Sequence, residues 1–427
     1  MKPVRFSLGD AELLCVQTDR FKSEYFSFRH TLPVTKETTQ QNVLLSAVLK
    51  RGTERHPNKL ALNRYLDDLY STTVGVYSRR IGDVHRFGLS ADFLGARYVG
   101  EKYGILPDVI DAMQEIWLQP LRENGLLRGD FVEREKIVLR DAIRSAINHP
   151  RGYALAECKK LLCEGEPFAL PLIGTEETVD AITPQILTER YEALLCSSVP
   201  TFWYVGALPP EAVAELVSKS AFALCGKKEA YETIVSRGSG KAACGEQEMP
   251  LCQGKLSLGF RTDVCHGHPL ASAMTVLNEI YGGSPASKLF LNVREKRSLC
   301  YHCSSSLYLY KGVMFANAGM KPENRAVTEE AMLTEFADLA AGRISDVELE
   351  AAKRSLAYSC RQIFDMPSAL CDFYDGRALI ESAQTVDEYR ETLLGVTREQ
   401  VMEAASHVRH GATFFLKGTL EGEEDEE

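Results

Sequence analysis

Tyr281-Gly-Gly-Ser-Pro-Ala-Ser-Lys-Leu-Phe-Leu-Asn-Val-Arg-Glu-Lys-Arg-Ser-Leu-Cys-Tyr301 is the stretch from which the fold reads outward. Its two glycines break whatever element precedes them. Ser284 can cap a helix, and Pro285 suits the first helical position, where its missing N–H costs nothing. Ala286, Leu289, Phe290 and Val293 then follow the i, i+3, i+4, i+7 stripe of a helix laid on a core. From Leu299 the pattern alternates, so Tyr301, Cys303, Ser305, Leu307 and Leu309 share one face of a predicted strand. Arg294 falls near the end of the helix and Tyr301 near the start of the strand. A guanidinium and a phenol leaving one junction can hydrogen-bond a peptide carbonyl. The same residues can instead cap carbonyls, pair Arg294 with Glu295, and leave Tyr301 an ordinary strand residue.

Upstream, Val4 to Leu8, Ala11 to Gln17 and Tyr25 to His30 read as strands. A helix over about 40–50, capped by Thr39, is apolar nearly all round and so is expected to be buried. A second helix runs over about 59–70. Val74 to Arg80, Gly82, and Val84 to Phe93 predict a hairpin. Helices follow at about 105–118, 129–147, 153–163 and 184–195, and Phe202 to Val205 closes this half as a strand. The second half repeats the plan: Gly283 answers Gly52, Gly312 answers Gly82, and the helix beginning at Val347 answers the one at Val132. Cys225 to Gln253 is polar and rich in Gly, Lys and Glu, the composition of a linker. The expected layout is an αβ domain over 1–224, a linker over 225–253, a second αβ domain over 254–420 and an acidic tail over 421–427. Hairpin strands followed by segregated helices predict an α+β fold. It would comprise two homologous αβ sandwiches, with antiparallel-rich sheets and helices on one face.

A chain of 427 residues has material for two or three domains. Its net charge of −10 argues against nucleic acid or an anionic membrane as the main partner. There is no apolar N-terminal signal segment and no run of membrane-spanning length, so a cytoplasmic location is expected. The 12 cysteines are scattered, as reduced core thiols are. Cys265-His266-Gly-His268 and Cys300-Tyr-His-Cys303 look like ligand clusters, yet neither is a standard zinc-ribbon pair. On a strand, Cys300 and Cys303 would point to opposite faces, against both chelation and a Cys-x-x-Cys redox turn. Glu403, His407 and His410 would share a helical face, but histidines before a glycine cap need no metal to explain them.

The quoted stretch resembles the C-terminal-half signature of the pitrilysin/insulinase family of inverted zinc peptidases, through Gly282-Gly283, Ser287-Lys-Leu-Phe290, Val293-Arg-Glu-Lys296 and Leu299-Cys-Tyr301. The resemblance implies two homologous αβ domains around a chamber. It also implies that Arg294 and Tyr301 help hold a substrate backbone over a zinc site carried elsewhere. The family's zinc motif, His-x-x-Glu-His, sits on the buried helix before a Lys/Arg-Gly-Thr turn. Two histidines at i and i+4 share a helix face and reach one metal, while the Glu serves as base for the bound water. Counting back from Arg51-Gly-Thr53 gives Val43-Leu-Leu-Ser-Ala47, with Val43, Ser46 and Ala47 where the ligands and base would stand. Glu133, Glu135 or Asp141 lies near the distal-ligand position, but without the histidines each reads as a surface charge.

The expectation is therefore no catalytic residue, no metal and no cofactor in this chain. Some bacterial family members are heterodimers in which one subunit bears the zinc and the other keeps only the Arg/Tyr pair, and this chain is similar to the latter. It would act as the non-catalytic subunit of a heterodimeric zinc metallopeptidase. Arg294 and Tyr301 would bind a peptide or unfolded-protein substrate, with zinc in the homologous partner. The alternative is a peptidase-derived scaffold with no proteolytic role. A narrower resemblance, through His56-Pro-Asn-Lys59, Tyr65-Leu-Asp-Asp-Leu-Tyr70, Glu135-Lys136 and Tyr153-Ala154, is to Gram-positive insulinase-like proteins named for elongation factor P modification.

Overall fold

The structure, a computed structural model, describes residues 1–197, 199–222 and 242–420. The acidic tail and residues 225–241 of the expected linker lie outside the described residues. Among the described residues no helix is long and apolar enough to cross a membrane.

One sheet contains β1 (Val4–Leu8), β2 (Ala11–Gln17), β3 (Ser23–Pro33), β4 (Thr73–Ile81) and β5 (Val84–Leu94). A two-residue ladder, β6 (Arg122–Glu123) with β7 (Leu126–Leu127), stands apart, and β8 (Thr201–Gly206) completes the sheet. Its order is β1-β2-β8-β3-β5-β4. The second sheet is built from β9 (Ala243–Met249), β10 (Gly254–Arg261), β11 (His302–Tyr308), β12 (Val313–Met320) and β13 (Arg409–Gly418), in the order β11-β12-β10-β13-β9. The two orders are one scheme used twice. β4-β5-β3-β8-β2 matches β11-β12-β10-β13-β9. In each, the β2–β8 or β9–β13 pair is parallel and the others are antiparallel. Both hairpins turn on a glycine in the left-handed region, Gly82 at φ 57° and Gly312 at φ 70°. The duplicated α+β plan read from the sequence is the plan observed.

Two features differ from the expectation. Residues 243–249, placed in the linker, form strand β9. Its side chains are mostly exposed, so no apolar alternation marks it, and it is held by parallel backbone pairing to β13. Helices also do not keep to one face of each sheet. The chain forms two compact units that are discontinuous in sequence: Met1–Arg144 with the described part of Pro171–Glu232 and Gln362–Thr385, and Ser145–Leu170 with the described part of Thr233–Arg361 and 386–420.

In the first unit, the helices Thr39–Leu49, Leu106–Leu118 and Pro184–Ser197 cover one sheet face, around Phe26, Phe28, Phe87 and Trp117. The helix Pro367–Ala378 packs on β3 and β8. In the second unit, the helix Pro150–Leu162 packs on β9, β10 and β13, with Cys158 and Leu162 against Phe315 and Phe414. Each unit thus contains a helix donated by the other half of the sequence. Covering both faces buries β10 and β12 along their whole length, as central strands of a doubly covered sheet require.

Both donated segments are anchored by a carboxylate between two cations. Arg29 Nη1 lies 2.9 Å from Asp372 and 3.0 Å from Asp375. Arg86 Nε donates to Asp375 at 3.1 Å, and so does Trp203 Nε1 at 2.9 Å. Burial opposes charge at Asp375, but the Arg86 and Arg29 guanidiniums outweigh it and hold the carboxyl below its usual range. In the second unit, Glu166 takes Arg261 Nη1 at 3.2 Å and the buried Lys311 Nζ at 2.7 Å.

Candidate functional site

The signature stretch folds as two wide, π-type helical turns, Glu279–Gly283 and Leu289–Lys296, separated by a break at 284–287. Ser284 is extended and starts no helix. The cap falls instead to Ser287, whose Oγ accepts from Phe290 N at 3.4 Å. The glycines do end the preceding element, which stops at Gly283. Gly282 lies inside it, and a Cβ there would come within 2.5 Å of Ser305 N on β11. The glycine lets the helical segment rest directly on the strand. Leu289 and Val293 point into the core, which turns Arg294 outward. Ser298, at φ 49°, reverses the chain, Leu299 N donates to Val293 O at 3.2 Å, and Tyr301 N donates to Gly319 O at 2.7 Å.

Arg294 and Tyr301 are thereby brought to one open cleft of about 480 Å³, shared with Ser298, Cys300, Lys321 and Asn324. The Arg294 guanidinium sits 4.6 Å from the centre of the Phe290 ring and 3.6 Å from Glu295, with 38% of its side chain exposed. The Phe290 contact supports its stem and leaves donors for a ligand; the long Glu295 contact at this exposure contributes little. Arg294 and Lys321 give the cleft two cations against the single carboxylate of Glu295. His302 stays neutral beside it, lowered to about 4 by burial and by the nearby Arg151, Lys255 and Arg294 charges.

The strand starts at His302, so Cys300 precedes the pleat and the expected opposite-face placement of Cys300 and Cys303 does not hold. The expected Glu403, His407 and His410 face is also not formed. The helix ends at Ser406, and His410 lies on β13, its Nε2 3.0 Å from Ala412 O. His266 packs on Tyr310, with ring centres 4.1 Å apart, and His268 Nδ1 accepts from Leu270 N at 3.1 Å.

At the position of the zinc helix, Thr39–Leu49 offers no donor set. Val43 packs against the core, Ser46 Oγ donates to the Val43 carbonyl at 2.6 Å, and Ala47 has no donor. Glu135 pairs with Arg51, and Glu133 lies on the surface 3.4 Å from Lys136. These residues do not fit a zinc ion, which needs at least three convergent N, O or S ligands. Among the described residues no group of three His, Cys, Asp or Glu is arranged to hold a metal.

The chain thus combines a duplicated αβ scaffold, a cleft shared by Arg294 and Tyr301, and a helix at Thr39–Leu49 without metal donors. The sequence profile described as "Peptidase M16 inactive domain" matches residues 181–356. A Bacillus subtilis protein described as "Probable inactive metalloprotease YmfF" is 26% identical over 410 residues, covering 95% of both chains. Among solved structures, a conserved protein from Enterococcus faecalis superimposes with a TM-score of 0.91 at 24% identity, covering 99% of this chain and 100% of that one. A peptidase M16 inactive domain from Pseudomonas fluorescens gives a TM-score of 0.76 at 19% identity, with 99% and 100% covered. The chain is thus similar over residues 181–356 to the peptidase M16 inactive domain, and over nearly its whole length to a probable inactive metalloprotease.

Proposed function

We propose that this chain is a non-catalytic subunit that presents Arg294 and Tyr301 to a peptide held at the zinc site of a homologous partner. The observation that carries the reading is the pairing of a retained Arg–Tyr cleft with a zinc helix lacking all its donors. An extended peptide offers a row of backbone carbonyls. The Tyr301 hydroxyl donates to one of them, or to the oxyanion that develops there, and the Arg294 guanidinium donates to the same strand. Neither step needs a proton acceptor in this chain; the zinc-bound water and its base belong to the partner. The substrate is a peptide or an unfolded segment, and the expected setting is a bacterial cytoplasm.

The test is peptide turnover by the complex reconstituted with a zinc-bearing homologue. Tyr301→Phe removes one hydroxyl, so complex formation on gel filtration should persist while turnover falls by about 10²–10³, the usual loss for one such donor. A scaffold without a proteolytic role predicts an intact complex with unchanged turnover, and that result would end the subunit reading.

A further inference from the structure

Lys321 takes no part in the steps above, yet it lines the same cleft as Arg294 and Tyr301. Strand β12 ends at the buried Met320, and Pro322 opens a short turn that closes when Asn324 N donates to Lys321 O at 2.9 Å. That turn fixes the Lys321 backbone, and the side chain is exposed. Among the described residues no carboxylate pairs with its ammonium. The one carboxylate lining the cleft, Glu295, is 55% exposed and 3.6 Å from Arg294, a contact that leaves the guanidinium available to a ligand. Glu323, two residues beyond Lys321, is not part of the lining. Further cations stand behind the wall. Tyr301 N donates to Gly319 O, and a Cβ on Gly319 would lie 3.3 Å from Lys255 Nζ and 2.5 Å from His302 Cε1. Arg151 Nη2 donates at 2.8 Å to Ser304 Oγ, on the same face of β11 as His302. A chain of net charge −10 thus carries a local excess of positive charge at this cleft.

We propose that this cleft selects acidic peptides: the Lys321 ammonium takes the carboxylate of a glutamate or aspartate side chain while Arg294 and Tyr301 hold the backbone beside it. The proposal rests on the peptide-binding reading of the same cleft and adds the class of peptide. A carboxylate entering the cleft meets Lys321 and Arg294, and among the lining residues only Glu295 opposes it. Opposite charge speeds encounter and like charge turns peptides away, so lysine-rich segments are the ones excluded. In an extended peptide the side chains alternate between two faces, so the preference belongs to particular positions and not to net charge alone. Lys321 holds a substrate side chain and does not touch the reacting carbonyl, so its removal raises KM and leaves kcat nearly unchanged.

The test measures kcat and KM of the complex reconstituted with a zinc-bearing homologue, on a peptide series in which each position in turn is Glu, Gln or Lys. With the wild-type chain, at least one position should favour Glu over Gln in kcat/KM by about fivefold, the upper range for one half-exposed ion pair, and Gln over Lys by a similar factor. Lys321→Gln should abolish the Glu preference at that position through KM, and Lys321→Glu should reverse it in favour of Lys; circular dichroism checks that both variants fold. In about 0.5 M NaCl the wild-type preference should shrink toward unity. The partner's own preferences do not respond to a substitution in this chain, so the readout is the change in the Glu-to-Lys ratio between wild type and variant. Tyr301→Phe is the control: it should slow turnover of every peptide by the same factor and leave the ratio alone. A ratio untouched by Lys321→Glu, with Tyr301→Phe still slowing turnover, would overturn the acidic preference and leave the subunit reading standing. Turnover indifferent to Lys321→Glu and to Tyr301→Phe alike would end both.

Discussion

Asp375 shows how much a single side chain can hold in this molecule. It is 1% exposed and accepts from Arg86 and Trp203 while lying 3.0 Å from Arg29, so its removal takes the carboxylate from the buried Arg86 and leaves Arg29 with Asp372 alone of the two. Breaking one partner of a buried pair costs about 3–5 kcal/mol. Asp375→Asn should therefore lower the unfolding free energy of the first unit, read from urea titration, by that order, although it removes a charge and barely changes shape. The carboxyl is depressed from 3.8, so its contribution is present above that value and lost only in strong acid. Histidines act sooner. Burial, then the Arg86 and Arg190 charges, lowers His30 from 6.5 to about 3. Burial, then Arg80 and Arg190, lowers His85 to about 4. Both are neutral when folded, while the unfolded chain takes up their protons below pH 6.5. Stability from these sites is complete above pH 6.5 and lost as the pH falls toward 4. Urea midpoints should drop between pH 7.5 and 5, and His30→Gln should flatten that slope; equal slopes in the two proteins would exclude His30 as a source.

Elements whose cause is local were legible in the sequence. The helix Thr39–Leu49 and the β4–β5 hairpin lie within a residue or two of where the apolar run and Gly82 put them, because an apolar run and turn chemistry act within a few residues. β9 was not legible. Its Ala-Cys-Gly-Glu-Gln-Glu-Met sequence reads as linker, and only β13, about 170 residues away, makes it a strand. The site shows the same division. The proximity of Arg294 and Tyr301 followed from a helix–strand junction, whereas the reversal between them runs through a left-handed Ser298 that composition does not announce. Gly282 was read as a breaker, but its hydrogen atom is what lets Glu279–Gly283 lie on β11. Gly282→Ala would place a methyl 2.5 Å from Ser305 N and 2.7 Å from its Oγ, within backbone that has no slack. Such overpacking costs about 1–3 kcal/mol. The melting temperature should fall, and amide exchange should speed up in β11; an unchanged melting temperature would mean that the strand yields freely.

At the scale of the whole chain, the exchanged segments decide what counts as a domain. Composition suggests cutting at the polar stretch after residue 224, which leaves each half with its own sheet. Yet the first sheet buries Arg29 and Arg86 against Asp375, and the second buries Lys311 and Arg261 against Glu166, and in both cases the acid comes from the other half. A half expressed alone keeps its cations and loses the carboxylate, along with the helix that covers one face of its sheet. For the second half this also exposes Phe315, Phe414 and Leu416, which pack with Cys158 and Leu162. Uncompensated charge and uncovered apolar surface both oppose folding, each by several kcal/mol, against a total stability of about 5–15 kcal/mol. Residues 1–232 and 233–427 should therefore each be aggregated or lack a cooperative urea transition when produced separately. Co-expressed, they should assemble into a one-to-one complex, because the missing helix and carboxylate of each are supplied by the other. Gel filtration and urea unfolding of the two fragments, apart and together, make the measurement. A separate half that unfolds cooperatively at the midpoint of the intact chain would show that the donated helices are ornaments on self-sufficient domains.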